Sequence, residues 1–189
     1  MKLLFFDLET TGTNSEKNGI HQLSGAVIIN GEVKETFDLH VQPHPGAEIE
    51  QGALDVADVT KEQIMAYPPM GVVYNQFIGI LSKYVDRYNK SDKFFLVGYN
   101  NGPFDNQFLR AWFGHNGDKY FGSWFWANCI DVMVLATPFL AEQRSQMVNF
   151  RQGTVAKALG IPVDDTKLHD ALYDIAICKA IYDKVCAKY

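Results

Sequence analysis

Apolar and polar positions change rhythm along this chain, and the change divides it. The opening stretch has the rhythm of strands. Leu3, Leu4, Phe5 and Phe6 form a short apolar run, so Met1–Leu8 predicts a buried first strand. Thr11-Gly12-Thr13-Asn14 breaks it, and Asn18-Gly19 supplies a turn. Ile20–Ile29 predicts a second strand and Glu32–Val41 a third. Asn30-Gly31 between them is a strong hairpin signal. These three elements read as an antiparallel meander.

The rhythm then becomes helical. Thr60-x-x-Gln63 is a capping-box pattern, and Pro68-Pro69 ends that short piece. Val73, Phe77, Ile80, Leu81, Tyr84 and Val85 recur at helical spacing, which predicts a helix over Val72–Tyr88. Lys93–Tyr99 is another apolar strand, Phe104–Phe113 a helix, and Ala127–Val132 a last strand. Helices are expected near Val132–Leu140 and Gln152–Leu159, the latter stopped by Gly160 and Pro162, and over Asp170–Lys184. Hairpin strands followed by strands alternating with helices indicate an α/β fold, a mixed sheet flanked by helices.

Composition adds bounds. The 189 residues suit one domain, taken as 1–189, with a sizeable core. Hydrophobic residues make up 47% and charged residues 21%, the balance of a soluble globule. No leader-like start and no apolar run of membrane-spanning length is present, so a cytoplasmic location away from membranes is expected. Cys129, Cys178 and Cys186 form no Cys-x-x-Cys pair, which reads as reduced thiols rather than a zinc site. The net charge of −5 argues against a protein that coats duplex DNA, but not against a site that concentrates carboxylates around metal ions.

Three groups of acids stand out. Asp7 and Glu9 are two apart at the end of the first strand, so they share one face while Leu8 points the other way. Two adjacent like charges are unfavourable unless a cation lies between them, and oxygen donors suit Mg²⁺ or Mn²⁺. Alone, the pair also reads as two solvated acids. Asp105 follows the Asn101-Gly102-Pro103-Phe104 turn and sits in the first turn of a helix, where any acid favours the dipole. His169 and Asp174 are five apart, which on one helix points them about 140° away from each other. They converge only if Asp170 caps the helix and His169 lies in the loop before it. Otherwise they read as a surface histidine and a solvated acid.

Taken in order, Phe6-Asp7-Leu8-Glu9-Thr10-Thr11-Gly12, Asn101-Gly102-Pro103-Phe104-Asp105 and His169-x-Ala171-Leu172-Tyr173-Asp174 resemble the three motifs of the DEDDh (DnaQ-like) 3′→5′ exonucleases. The last motif is most similar to the exonuclease X and ribonuclease T branch. The resemblance spans Leu3 to about Val185 and implies a ribonuclease-H-like fold with a five-stranded mixed sheet, which the element order fits. Two segments depart from the family pattern. Asn100 and Gly102 replace its usual His and Ala, and Ala57-Asp58 stand where His-Gly is common, in a loop at Ala53–Thr60 that usually meets the terminal nucleotide.

The resemblance also implies a mechanism. Two Mg²⁺ ions, replaceable by Mn²⁺, would be held by Asp7, Glu9, Asp105 and Asp174, with Asp7 bridging. His169 would act as general base, since its ordinary pKa of roughly 6.5 suits proton abstraction near neutrality. Backbone groups of Thr10 and Thr11, with Asn101 and Phe104, would hold the terminal nucleotide. The expected substrate is the 3′ end of single-stranded nucleic acid, DNA above RNA, released as 5′-mononucleotides. An exoribonuclease of the ribonuclease T or oligoribonuclease kind and a non-catalytic, polymerase-associated module are the alternatives. A homodimer or a replication or repair partner stays open. The aromatic stretch Trp112, Phe113, Tyr120, Phe121, Trp124, Phe125 and Trp126 reads either as core or as base-stacking platforms. Lys167, Lys179, Lys184 and Lys188 read as solvated lysines or as phosphate-steering cations.

Overall fold

The computed structural model describes residues 1–168 and 170–187. Five strands form one sheet: β1 (Lys2–Thr10), β2 (Ile20–Ile29), β3 (Glu32–His40), β4 (Phe95–Gly98) and β5 (Ile130–Asp131), in the order β3-β2-β1-β4-β5. β1, β2 and β3 pair antiparallel, while β4 joins β1, and β5 joins β4, in parallel. The expected meander and the expected mixed sheet are both present. The hairpin turn takes the form its sequence asks for, with φ of 52° at Asn30 and 88° at Gly31.

Eight α-helices are described: α1 (Gln51–Val56), α2 (Lys61–Met65), α3 (Met70–Ser82), α4 (Asp105–His115), α5 (Phe121–Trp124), α6 (Val132–Leu140), α7 (Gln152–Ala158) and α8 (Ala171–Cys186). Side-chain alternation on β1 splits the core in two. Leu4, Phe6 and Leu8 face a layer from α3, α4 and α5, rich in Tyr74, Phe77, Trp112, Phe113, Phe121 and Trp124. Leu3 and Phe5 face the other way, onto α6, α7 and α8, where Val132, Ala136, Val155, Ile177 and Ile181 are buried. Among the described residues no helix is long and apolar enough to cross a membrane.

The Thr60–Gln63 capping box forms in full at the start of α2, with Thr60 N–H donating to Gln63 Oε1 at 2.6 Å and Gln63 N–H to Thr60 Oγ1 at 3.2 Å. Three expectations shift. α3 stops at Ser82 rather than Tyr88, although Val85 stays buried, because the chain turns at Asp86, whose N–H donates to the Asp92 carboxylate at 3.0 Å. The segment read as a loop at Ala53–Thr60 begins as α1, which buries only Leu54. The strand expected over Ala127–Val132 is two residues long. Its irregularity is measurable: Phe94 pairs with Phe125 and Val97 with Ile130, so two extra residues on the edge strand must bow out of the sheet between those pairs.

Candidate active site

The C-terminal ends of β1 and β4 converge with the first turns of α4 and α8. Asp7 lies opposite Ser24, and Glu9 opposite Gln22, in the β1–β2 register, so both carboxylates share the face that α8 covers. Their polar neighbours across the sheet are engaged with the next strand: the Oγ of fully buried Ser24 and Gln22 Nε2 each donate to Asp38 Oδ1 at 2.7 Å. That leaves the Asp7 and Glu9 oxygens facing the other acids. Asp174, in the first turn of α8, lines a small cleft with Asp7, Tyr99, Gln152 and Cys178. Gln152 Nε2 donates to the Asp174 backbone carbonyl at 2.7 Å and ties α7 to that turn. Asp170 caps α8 as the sequence suggested, accepting from Tyr173 N–H at 2.9 Å. His169 lies outside the described residues.

Electrostatics show how close the acids are. Burial first, then the negative charges of Asp105, Glu9 and Asp174, hold the Asp7 carboxyl well above the usual carboxylate range. Burial and Asp174 push Glu9 up to about 7. Burial also pushes Asp105 up to about 7, with Glu9 and Asp131 adding to it and the backbone N–H groups of Asp105 and Leu8 working against it. Cys178, one turn along α8 from Asp174, is buried beneath all of them and kept as a neutral thiol by burial and by Asp7, Asp131, Asp105 and Asp174. Among the described residues no three His, Cys, Asp or Glu side chains draw together tightly enough to enclose a single ion. The chemistry of the donor set still fits a hard divalent cation: the four acids offer carboxylate oxygens, and burial with neighbouring negative charge disfavours the anions of Asp7, Glu9 and Asp105.

The nucleotide-contact residues divide. Thr11 is fully buried and committed to its own loop. Its N–H donates to Gly19 O at 2.9 Å, its carbonyl accepts from Glu50 N–H at 2.8 Å, and its hydroxyl donates to Glu48 O at 2.6 Å and accepts from Gly19 N–H at 2.9 Å. These bonds tie Thr11 into the loop that follows Thr10. Gly12 belongs to the same construction, since a Cβ there would lie 2.4 Å from Asn18 and Glu50. Asn101 is fully buried, its Nδ2 reaching Asn106 Oδ1 at 3.4 Å, while its Oδ1 has no partner among the described residues. Phe104 is half-buried, packs on Phe108 with ring centroids 5.0 Å apart, and lines a groove of about 310 Å³ with Thr13, Asn14 and Ser15.

Both family departures have a physical reading. Gly102 has room for a methyl group: a Cβ there would meet Cys129 Sγ at 3.6 Å and Asp131 Oδ2 at 3.9 Å, ordinary contact distances, so the usual Ala would fit. Asp58 takes φ of 51°, a left-handed conformation that suits Gly better.

Asp131 was missed by the sequence reading. Its Oδ1 accepts from Asn100 N–H and Met133 N–H, both at 3.0 Å, so it caps α6 and pins the loop that leads to Asp105. The available signal was an acid at a strand end directly before an apolar helix.

Comparisons with known proteins bear on the family and the fold. The RNase T family model, described as exonuclease, matches residues 4–182. Curated relatives include DNA polymerase III PolC-type of Staphylococcus aureus (strain bovine RF122 / ET3-1), 25% identical over 95% of this chain. The PolC-type protein of Oceanobacillus iheyensis is 27% identical over 89% of it. This chain spans only 11% and 10% of those relatives' lengths. Among solved structures, the zinc-bound form of E. coli exonuclease I with single-stranded DNA superposes with a TM-score of 0.78 at 20% identity, covering 99% of this chain and 40% of that one. The metal-free form gives 0.76 at 19%, with the same coverage.

Proposed function

We propose, from the premise that this chain belongs to the DEDDh 3′→5′ exonuclease family, that it hydrolyses the terminal phosphodiester of single-stranded nucleic acid, DNA above RNA, and releases 5′-mononucleotides. The observation that carries the reading is the mutual crowding of Asp7, Glu9, Asp105 and Asp174 at one end of the sheet. Such repulsion is kept where a cation relieves it.

Asp7 has the other three acids around it, which suits it to serve two metal positions. Glu9 and Asp174 would complete one and Asp105 the other. Two divalent ions, Mg²⁺ in the first instance, supply an activated water and charge stabilisation at the leaving oxygen when bound. His169 would accept the proton from that water. Thr10 would meet the terminal sugar, and the exposed part of Phe104 would meet its base. Thr11, bonded to Gly19, Glu48 and Glu50, would hold the loop in place for that contact.

The test is a set of matched DNA and RNA oligonucleotides, labelled at either end, with Mg²⁺, Mn²⁺ or EDTA. Stepwise shortening from the 3′ end that stops in EDTA is the expected result. Cleavage of a circular single strand, or undiminished activity in chelator, would overturn it. His169→Ala should lower turnover by roughly 10²–10⁴-fold while leaving calorimetric metal affinity nearly unchanged. The likeness to a segment of PolC-type polymerases favours a second reading, proofreading beside a polymerase. A preference for mismatched over matched primer ends would support that role.

A further inference from the structure

The aromatic stretch noted in the sequence is sorted by the fold. Trp112, Phe113, Phe121, Trp124 and Phe125 are core, whereas Tyr120 is exposed and Trp126 half-buried. Trp126 stands at the start of the segment that bows out of the sheet edge before β5. The bow opens a groove of about 480 Å³ between that edge and α4, walled by Gly102, Asn106, Gln107, Arg110, Phe121 and Trp126. Gly102 and Asn106 flank the loop and turn that carry Asp105, and Arg110 lies one helical turn further on, about 6 Å along the axis. Ser15 and Gln107 also line the groove beside Phe104, so the two depressions share a wall.

The chemistry of this groove differs from that of the chain as a whole. In a protein of net charge −5, its lining carries Arg110 and no acid. Arg110 is exposed, its guanidinium carbon 4.3 Å from the Phe121 ring centroid, and it has no carboxylate partner among the described residues. Lys93 Nζ lies 5.4 Å from the Trp126 ring centroid and donates to Gly122 O at 2.5 Å. A half-buried indole, a guanidinium without a carboxylate partner and amide donors in one channel, with Lys93 beside the Trp126 ring, are what a single strand requires, with bases stacking on rings and phosphates meeting positive charge.

We propose that this groove is an upstream nucleotide subsite. Trp126 stacks a base, and Arg110 meets a phosphate, of the strand whose 3′ end lies at the carboxylates. The inference rests on the exonuclease reading, but its test separates the two. Wild type, Arg110→Gln and Trp126→Ala are compared on the p-nitrophenyl ester of thymidine 5′-monophosphate, which fills the terminal site alone, and on a longer single-stranded oligodeoxynucleotide. Each variant should raise KM for the oligonucleotide about tenfold with kcat unchanged, and leave ester hydrolysis unchanged. Trp126→Phe, which keeps a stacking face, should restore the oligonucleotide KM. Equilibrium binding of the labelled oligonucleotide in EDTA should weaken by the same factor, whatever the catalytic outcome. Unaltered KM and binding in both variants would overturn the subsite. Equal loss on ester and oligonucleotide would also overturn it, since the residues would then serve the terminal site or the fold. A wild type that cleaves neither substrate would sink the exonuclease reading, and the binding measurement alone would then decide the subsite.

Discussion

The two faces of the sheet are built on opposite terms. Beneath α3–α5, rings close on rings: Phe113 meets Tyr74 at 5.1 Å, Phe121 at 5.0 Å and Phe125 at 5.9 Å between centroids. Burial there is sealed by large side chains, and its polar cost is confined to groups such as the Trp112 and Trp124 indole N–H, which find no acceptor among the described residues. Beneath α6–α8 the packing is smaller and aliphatic, and the row beyond Phe5 is acidic instead of apolar. Asp7 sits where one more apolar side chain would lengthen the core. The comparison teaches that one face supplies stability and the other uses some of it to hold carboxylates together.

Asp7→Ala should break the comparison furthest. Turnover on a single-stranded oligonucleotide should fall by at least ~10³-fold, while the melting temperature in EDTA rises, because a repelling, half-buried charge is gone. A lower melting temperature would show that Asp7 is structural. On the sealed face the sign reverses. Phe113→Ala should cost about 3–5 kcal/mol by chemical denaturation, enough to threaten folding at ambient temperature, and should act on activity only through the folded fraction.

The pH dependence sharpens the contrast. Glu9 and Asp105 are both pushed up to about 7 in the folded protein, from ordinary values of 4.5 and 3.8. The folded state therefore holds more protons than the unfolded chain between those limits. In EDTA, stability should rise as pH falls from about 7 towards about 4, and divalent metal should flatten that slope. Calorimetric melts across that range give the sign directly. A melting temperature that falls over the same interval would mean the carboxylates do not repel as described. The smallest effect belongs to neither face. Asp58→Gly should stabilise by up to about 1 kcal/mol in chemical denaturation, because the backbone there is already left-handed.

Much of this architecture was legible because its signals are local. Asn30-Gly31 dictates a hairpin, Thr60 and Gln63 dictate a cap, and a run such as Leu3–Phe6 has nowhere to go but a buried strand. What escaped was carried by few residues or by distant partners. α1 buries one side chain, Leu54, and its N-cap Glu50 makes no side-chain capping bond, so no periodicity announces it. α3 ends where an acid six residues on takes the Asp86 N–H, although the apolar spacing runs past that point to Val85. Spacing and resemblance singled out the four carboxylates that the fold brings to one end of the sheet. They did not single out Asp131, because its role lies in bonds to Asn100, thirty-one residues away. The bonds of Thr11 were hidden for the same reason: nothing in its motif shows that its polar groups meet Gly19, Glu48 and Glu50.

The shortness of β5 has a consequence for slow breathing motions. Among the described residues β5 pairs with β4 at Val97–Ile130 and Gly98–Asp131, with a separate bridge at Phe94–Phe125 before the bow, whereas β1 and β2 pair along nine positions. Local opening starts where the fewest bonds must break together, so the amides of this corner belong to the least protected part of the sheet in hydrogen exchange. The Asn100 amide is held there by a side chain, Asp131, and not by a ladder. The acid on α4 therefore rests on a corner that opens more often than the strand bearing Asp7 and Glu9. Hydrogen exchange is expected to divide the carboxylate end of the sheet into a half with long-lived amides and a half that opens by sub-global unfolding.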